Sequence, residues 1–344
     1  MAVVKADGYG HGLVPTAQAA VRGGATWLGT AFIDEAITLR KSGITAPILA
    51  WLTPPTDDFA KALESGIDLS LSEVDHLEAI MSASEMTGIK PRVHLKVDTG
   101  MSRGGALDEF PLLVSALGEL LNAERIDLVG TWSHLACADD PDHPLNTNQL
   151  ERFRGALDYL ESEGLDPGLR HFANSGAALH LPELHFDMVR TGLLLYGYLP
   201  GGITTQRISV QPAMELSAEI ALVKRVPAGS TIGYGATVEL SVDRFIGVIP
   251  LGYADGIPRQ LKGEIGCTIA GQRYPLIGRV SMDQITVDLG SATDVRAGDR
   301  AIFFGAGASA SADDWAKAAG TISYEILSRI GSRVPRVARK NNTY

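Results

Sequence analysis

AVVKADGYGHG, residues 2–12, runs from a β-branched apolar stretch straight into a lysine and on into a turn with glycine at positions 8, 10 and 12. A lysine that closes a buried strand is badly placed for solvent. In isolation such a residue more often snorkels at the strand end, with the glycines only shaping a loop. The other reading is an ammonium partly desolvated in a pocket, with a lowered pKa and an amine able to form a Schiff base with a carbonyl compound. Tyr9, four residues beyond Lys5, would reach the same mouth.

Downstream, short β-branched runs alternate with helical patterns. The expected strands are Ala2–Lys5, Trp27–Ala31, Ile48–Trp51, Ile67–Leu69, Arg92–Val97, Leu128–Ser133, Arg170–Ala173 and Asp187–Arg190. Eight strands separated by helix-length segments indicate an α/β fold, an N-terminal (β/α)8 TIM-type barrel. Asp34 stands before EAITLRKSG, Ser72 before EVDHLEAIMSA, and residues 146–164 repeat apolar side chains at Leu150, Phe153, Leu157 and Leu160, a helical spacing. An open doubly wound sheet would use the same alternation, but no GxGxxG follows the first strand. After Pro200–Gly202 the texture changes to glycine-broken strand-like runs from about Pro212 onward, with one helical patch near Asp313–Ala319. The division expected is a barrel over 1–205 and a mostly antiparallel β domain over 206–344.

With 344 residues, 45% of them hydrophobic, the chain can bury a large core. Its formal charge of −10 and scattered acidic residues disfavour nucleic acid as a partner, since no basic stripe is available to neutralise phosphates. The two cysteines, Cys137 and Cys267, lie far apart and support neither a disulfide framework nor a metal site. No apolar run approaches the roughly 20 residues of a membrane helix. A soluble, cytoplasmic protein with no membrane partner is the expectation.

AVVKADGYGHG resembles the pyridoxal-phosphate lysine motif of the alanine racemases. KVDTGMSR (96–103), HFANS (171–175), VRTGLLLYG (189–197), GYADGIPR (252–259), GRVSMDQ (278–284) and SYEILSRIGSRVPR (323–336) resemble that family too, in its order and over nearly the whole chain. Any one of these would be weak; seven in order are strong. Family members usually carry a few dozen residues ahead of the lysine, including a strand that joins the second domain, and this sequence opens without them.

The resemblance implies a cofactor, pyridoxal 5′-phosphate, and a role for each matching residue. Lys5 would carry the cofactor and act as a base on one face of the substrate Cα; Tyr253 would be the base on the other face, paired with His134. Tyr9, Ser175, Gly192, Leu193 and Tyr324 would surround the phosphate. Ser175 follows a strand and opens a helix-like AALHL, so it could cap a helix whose free amides face an anion, with Asn174 beside it. Arg190 would face the pyridine nitrogen, where many pyridoxal enzymes use an aspartate, with His171 supporting it. Arg103 and the backbone amide of Met282 would hold the substrate carboxylate, with Lys96, at a position often carbamylated in the family, and Asp283 bordering them. Many relatives have cysteine where Ser281 stands.

The function implied is interconversion of L- and D-alanine by a head-to-tail homodimer whose sites are shared between subunits, supplying D-alanine for peptidoglycan. A broader or serine racemase is the enzymatic alternative. A non-catalytic pyridoxal-phosphate-binding barrel would lack the segments with GYADG and SMDQ, and a barrel decarboxylase would carry a catalytic cysteine and an acidic ring partner that are not found.

Overall fold

The computed structural model describes residues 1–202 and 208–338. The expected domain boundary, between 205 and 206, lies outside the described residues. Two compact units are present, and the partition is not a single cut. The first takes in Met1–Gly8, Gly12–Leu195 and the described part of Leu199–Ser209; the second takes in Tyr9–His11, Tyr196–Tyr198 and the described residues from Val210 onward.

In the first unit, β1 (Ala2–Val3), β2 (Leu28–Thr30), β3 (Ile48–Ala50), β4 (Asp68–Leu71), β5 (Arg92–Lys96), β6 (Asp127–Trp132) and β7 (Leu169–His171) form one parallel sheet in sequential order. Helices intervene, and the outer face of the sheet packs on them: Leu69, Leu71, Val93 and Leu95 share one buried cluster with Ile37, Leu77, Ile80 and Leu113. Period-2 alternation then turns Asp68 and Ser70 of β4 and His94 and Lys96 of β5 toward the barrel axis.

The eighth expected strand, Asp187–Arg190, forms no ladder. The segment instead touches β7 through Asp187 N–H to Arg170 O (3.0 Å) and the residues just beyond it through Arg190 N–H to Ala173 O (2.8 Å). It touches β1 through Val3 N–H to Thr191 O (2.9 Å) and a parallel bridge between Ala2 and Thr191. The wall closes at a seam of isolated bonds. The Asp187 carboxylate accepts from the backbone and guanidinium of Arg170, which draws that end of the segment toward the surface.

Helix starts differ from the expected caps. The helix near Asp34 begins at Ile33, and Glu35 receives the Ala31 and Phe32 amides. Ser72 is no cap: that helix spans Val74–Thr87. The 146–164 periodicity belongs to a helix over Pro144–Ser162 that buries Leu150, Phe153, Leu157 and Leu160.

The second unit is antiparallel throughout. Its strands are β8 (Leu216–Glu219), β9 (Leu222–Val226), β10 (Thr231–Ile232), β11 (Val238–Glu239), β12 (Arg244–Ile249), β13 (Gly266–Ile269), β14 (Gln272–Pro275), β15 (Ile285–Asp288) and β16 (Arg300–Phe304). They pair as β15-β12-β9, β14-β13-β16-β8 and β10-β11. A helix over Ala312–Ala319, capped by Ser311, drives the fully buried Trp315 against Phe303, and a second helix spans Ser323–Ser328. No helix among the described residues is long and apolar enough to cross a membrane.

Candidate active site

Lys5 follows β1, and the backbone beyond it does something L-residues rarely do. Ala6, Asp7, Gly8 and Tyr9 are all left-handed, with φ of 54°, 55°, 61° and 52°. Each such non-glycine residue costs about 1–2 kcal/mol, so the turn needs outside support. Gly8 N–H bonds to Val4 O (2.8 Å) and Gly12 N–H to Asp7 O (2.8 Å). The Asp7 carboxylate accepts from Leu13 N–H (2.8 Å), and Glu35 accepts from Ala6 N–H (2.7 Å). Glu35 therefore ties the lysine turn to the start of the helix after β2.

The other candidates of this unit lie at the same ends of their strands. Lys96 closes β5, His134 follows β6, Asn174 and Ser175 follow β7, and Arg190 and Gly192 sit at the seam. The carboxyl ends of the strands are where barrel enzymes carry their sites. Burial, reinforced by the charge of Arg103 and partly countered by Glu35, lowers the Lys5 pKa. Lys96 is brought down to about 8, first by burial and then by Arg103 and Arg190. His134 is held well below its ordinary range by burial and by Arg190, Arg103, Lys96 and Lys5. These groups feel one another because the barrel gathers them at one mouth.

Arg190, 4% exposed, is held from several sides. Nη1 donates to His171 O (2.6 Å) and toward His171 Nδ1 (3.3 Å); Nη2 donates to Ser133 O (2.6 Å), Phe172 O (3.3 Å) and toward His134 Nδ1 (3.2 Å). Burial depresses its pKa to about 9, which still leaves a cation at neutral pH. Among the described residues no acceptor takes its Nε–H. Its carbon lies 4.7 Å from the centre of the Trp132 ring, and Lys96 Nζ lies 4.8 Å from the same ring.

Ser175 is not the helix cap. Asn174 is: its Oδ1 accepts from Gly176 and Ala177 N–H (3.1 and 3.2 Å), so those amides are already engaged. The Ser175 hydroxyl accepts from Gly192 N–H at 2.8 Å and keeps its own proton to donate. Leu193, beside Gly192, is buried.

Arg103 is exposed on a loop that Asp98 organises, its Oδ1 accepting from Gly100, Met101 and Ser102 N–H. The buried Gln149 links this loop to the end of β6, donating to Thr99 Oγ1 and to His134 O (3.0 Å each). Sequence reading missed Gln149 and Trp132. Alternation along TWSH offered a signal for Trp132; Gln149 sits mid-helix and offered none.

In the second unit Tyr9 stacks on Tyr196 with centroids 4.7 Å apart, and Tyr324 lies 6.0 Å from Tyr9. Burial pushes the Tyr9 phenol up to about 12, keeping it a hydrogen-bond donor. Tyr253 and Met282 are exposed neighbours whose segments are laced together by Tyr253 N–H to Ser281 O and Ala254 N–H to Met282 O (3.0 Å each). Arg333, also missed, braces this pair of loops, binding Asp283 at 2.8 Å and Asp255 at 3.3 Å.

Residues 1–200 match the sequence pattern of the alanine racemase N-terminal domain, and residues 213–338 that of the alanine racemase C-terminal domain. The chain is 48% identical over 342 residues to the alanine racemase of Frankia casuarinae, covering 98% of this chain and 88% of that protein. It is 47% identical over 340 residues to the alanine racemase of Salinispora arenicola, covering 98% and 91%. Among solved structures, alanine racemase from D-cycloserine producing Streptomyces lavendulae superposes with a TM-score of 0.94 at 45% identity, over 99% of this chain and 91% of that one.

Proposed function

The chain belongs to the alanine racemase family and is an isomerase of alanine; we propose that it works with pyridoxal 5′-phosphate at the barrel mouth and with two bases, Lys5 and Tyr253. The donor set fits that cofactor. It comprises a primary amine of lowered pKa, a buried guanidinium with an unengaged Nε–H, and a hydroxyl proton at Ser175 beside Gly192. Lys5 would hold the carbonyl carbon, Arg190 the ring nitrogen, and Ser175, Gly192, Leu193, Tyr9 and Tyr324 the phosphate, with His134 and Asn174 at its edge. When bound, the cofactor withdraws electrons from the substrate and acidifies its Cα–H.

Lys5, whose burial lowers its pKa, moves the proton on one face of Cα. Tyr253 of the partner subunit moves the proton on the other face, so the substrate need not turn over. Arg190 cannot accept a proton, so it would keep the ring nitrogen of a bound cofactor unprotonated. Such a ring would be the weaker electron sink, which would favour return of a proton over side reactions. Arg103 and the Met282 amide grip the carboxylate, and Lys96 and Asp283 set the charge around them. His171 steadies Arg190. The product role is a cytoplasmic supply of D-alanine for peptidoglycan.

The single observation behind this reading is the convergence of Lys5, Lys96, His134 and Arg190 at the carboxyl ends of the barrel strands. The test is borohydride reduction of the holoenzyme followed by peptide mapping, with chiral analysis of an L-alanine incubation alongside. The pyridoxyl group is expected on Lys5, with D-alanine formed, and Lys5→Ala should lose the near-ultraviolet to violet absorbance. A map that places the group on another lysine sinks the assignment.

A further inference from the structure

Below the mouth, the barrel interior holds polar groups that the reaction itself does not use. Asp68 on β4 is 2% exposed, and His94 on β5 is fully buried. At the foot of the barrel Arg92 donates to both oxygens of Asp68, Nε to Oδ1 at 2.9 Å and Nη2 to Oδ2 at 3.1 Å. His94 turns its two nitrogens in opposite directions. Nε2 lies 3.4 Å from Asp68 Oδ2, a charge–dipole contact rather than a linear hydrogen bond. Nδ1 lies 2.9 Å from His171 Nε2, and His171 Nδ1 receives Arg190 Nη1 at 3.3 Å.

His94 reaches His171 across an intervening strand, and the sequence of β6 makes that possible. The register slips between Val93 and His94, so Gly130 stands opposite His94. A Cβ at Gly130 would come within 2.9 Å of His94 Nδ1 and 2.5 Å of Leu169 O. Glycine is the side chain that leaves the gap open. The ring planes are set by indoles: Trp132 stacks on His171 (5.7 Å, 5°), and Trp27 meets His94 edge-on (5.2 Å, 79°).

Burial keeps both imidazoles neutral, so the His94–His171 bond contains one proton and allows two arrangements. If the proton sat on His94 Nδ1, His94 would face Asp68 with a lone pair, and His171 would face the arginine with an N–H. A lone pair would meet a carboxylate at one end and a donor would meet a donor at the other. If the proton sits on His171 Nε2, the positive end of the His94 Nε2–H dipole lies against the carboxylate and His171 Nδ1 offers a lone pair to the guanidinium. Unlike charges then face each other at both ends.

We infer that Asp68 and His94 are positioning residues for Arg190, fixing the tautomer of His171 so that its Nδ1 lone pair faces the guanidinium. The carboxylate acts through two neutral rings on a cation it does not touch. The tautomer pattern is independent of the cofactor; its effect on turnover rests on the function proposed above.

The test reads imidazole protonation by two-bond nitrogen–proton correlation on histidine-labelled protein, in the apo and the cofactor-loaded forms. In the wild type, His94 and His171 should both carry the proton on Nε2 and none on Nδ1. A proton on Nδ1 of either ring in the wild-type protein overturns the proposal without any variant. In Asp68→Asn the amide can donate to His94, so both rings should reverse or become mixed. Losing one acceptor of a charged donor should then lower kcat by about tenfold, with KM for alanine changed less than about twofold. If both rings keep their Nε2 protons in Asp68→Asn, the carboxylate does not set the tautomer. If the rings reverse while kcat is unchanged, the tautomer does not position Arg190. Either result removes the inference, and neither bears on whether Lys5 carries the cofactor.

Discussion

Lys96 carries the plainest cost of crowding cations at the barrel mouth. Its amine titrates near 8 in the folded protein, against 10.5 when solvated, because burial and two arginines oppose its charge. Between those values the unfolded chain binds the extra proton and the folded chain does not. Stability from this group therefore rises with pH from about 8 to about 10.5 and is flat below that window. Urea unfolding of the apo protein should show the wild type gaining on Lys96→Gln as pH climbs through the window; parallel curves would mean that the amine is solvated. Residue identities at the mouth were legible because strand ends can be read from β-branched runs. The division of labour between Asn174 and Ser175 was not, because both are good caps and only the position of Gly192 decides which oxygen turns toward the helix.

At the scale of elements, glycines after Lys5 are fixed by contact as well as by dihedral angle. Gly10 has φ of +79°, and a Cβ there would sit 2.1 Å from Leu327 O. Gly43 has a similar φ of +88° with nothing within 4 Å. Alanine at Gly43 should cost about 1 kcal/mol, whereas Gly10→Ala should cost about 2–4 kcal/mol by adding overpacking to the left-handed penalty. Equal losses in denaturant titrations of the two variants would show that the close approach to Leu327 is relaxed at no cost. Seven of the eight expected strands are present within two residues because parallel, doubly covered strands are written as apolar runs. The Asp68–His94–His171 chain was invisible for a different reason. Its members lie 26 and 77 residues apart in sequence, and only the strand order and the slip at Gly130 bring them into one line.

For the whole molecule, the proposed sharing of sites makes the dimer the unit of activity. Lys5→Ala and Tyr253→Phe should each be inactive, yet a mixed dimer collects both defects in one site and none in the other. With random re-pairing at equal concentration about half the dimers are mixed, so activity should return to about one-quarter of wild type. Re-pairing proved by mass, with activity left at the background of the separate variants, would place both residues in one chain. The closure of the barrel has a consequence of its own. A wall that is laddered everywhere except between residues 187 and 191 breathes there first, since a few isolated bonds can part without melting a strand. Arg190 is anchored in that stretch, and an opening would carry it away from the mouth only if its bonds to Ser133 O, His171 O and Phe172 O part as well. Deuterium should enter the amides of 187–191 faster than those of β5 or β6 in the apo protein, and cofactor loading should slow uptake at the seam far more than in the neighbouring strands. Uniform uptake around the wall would mean that the seam is as tight as a ladder. On this view the seam is the hinge of the barrel, and the proposed cofactor would be its latch.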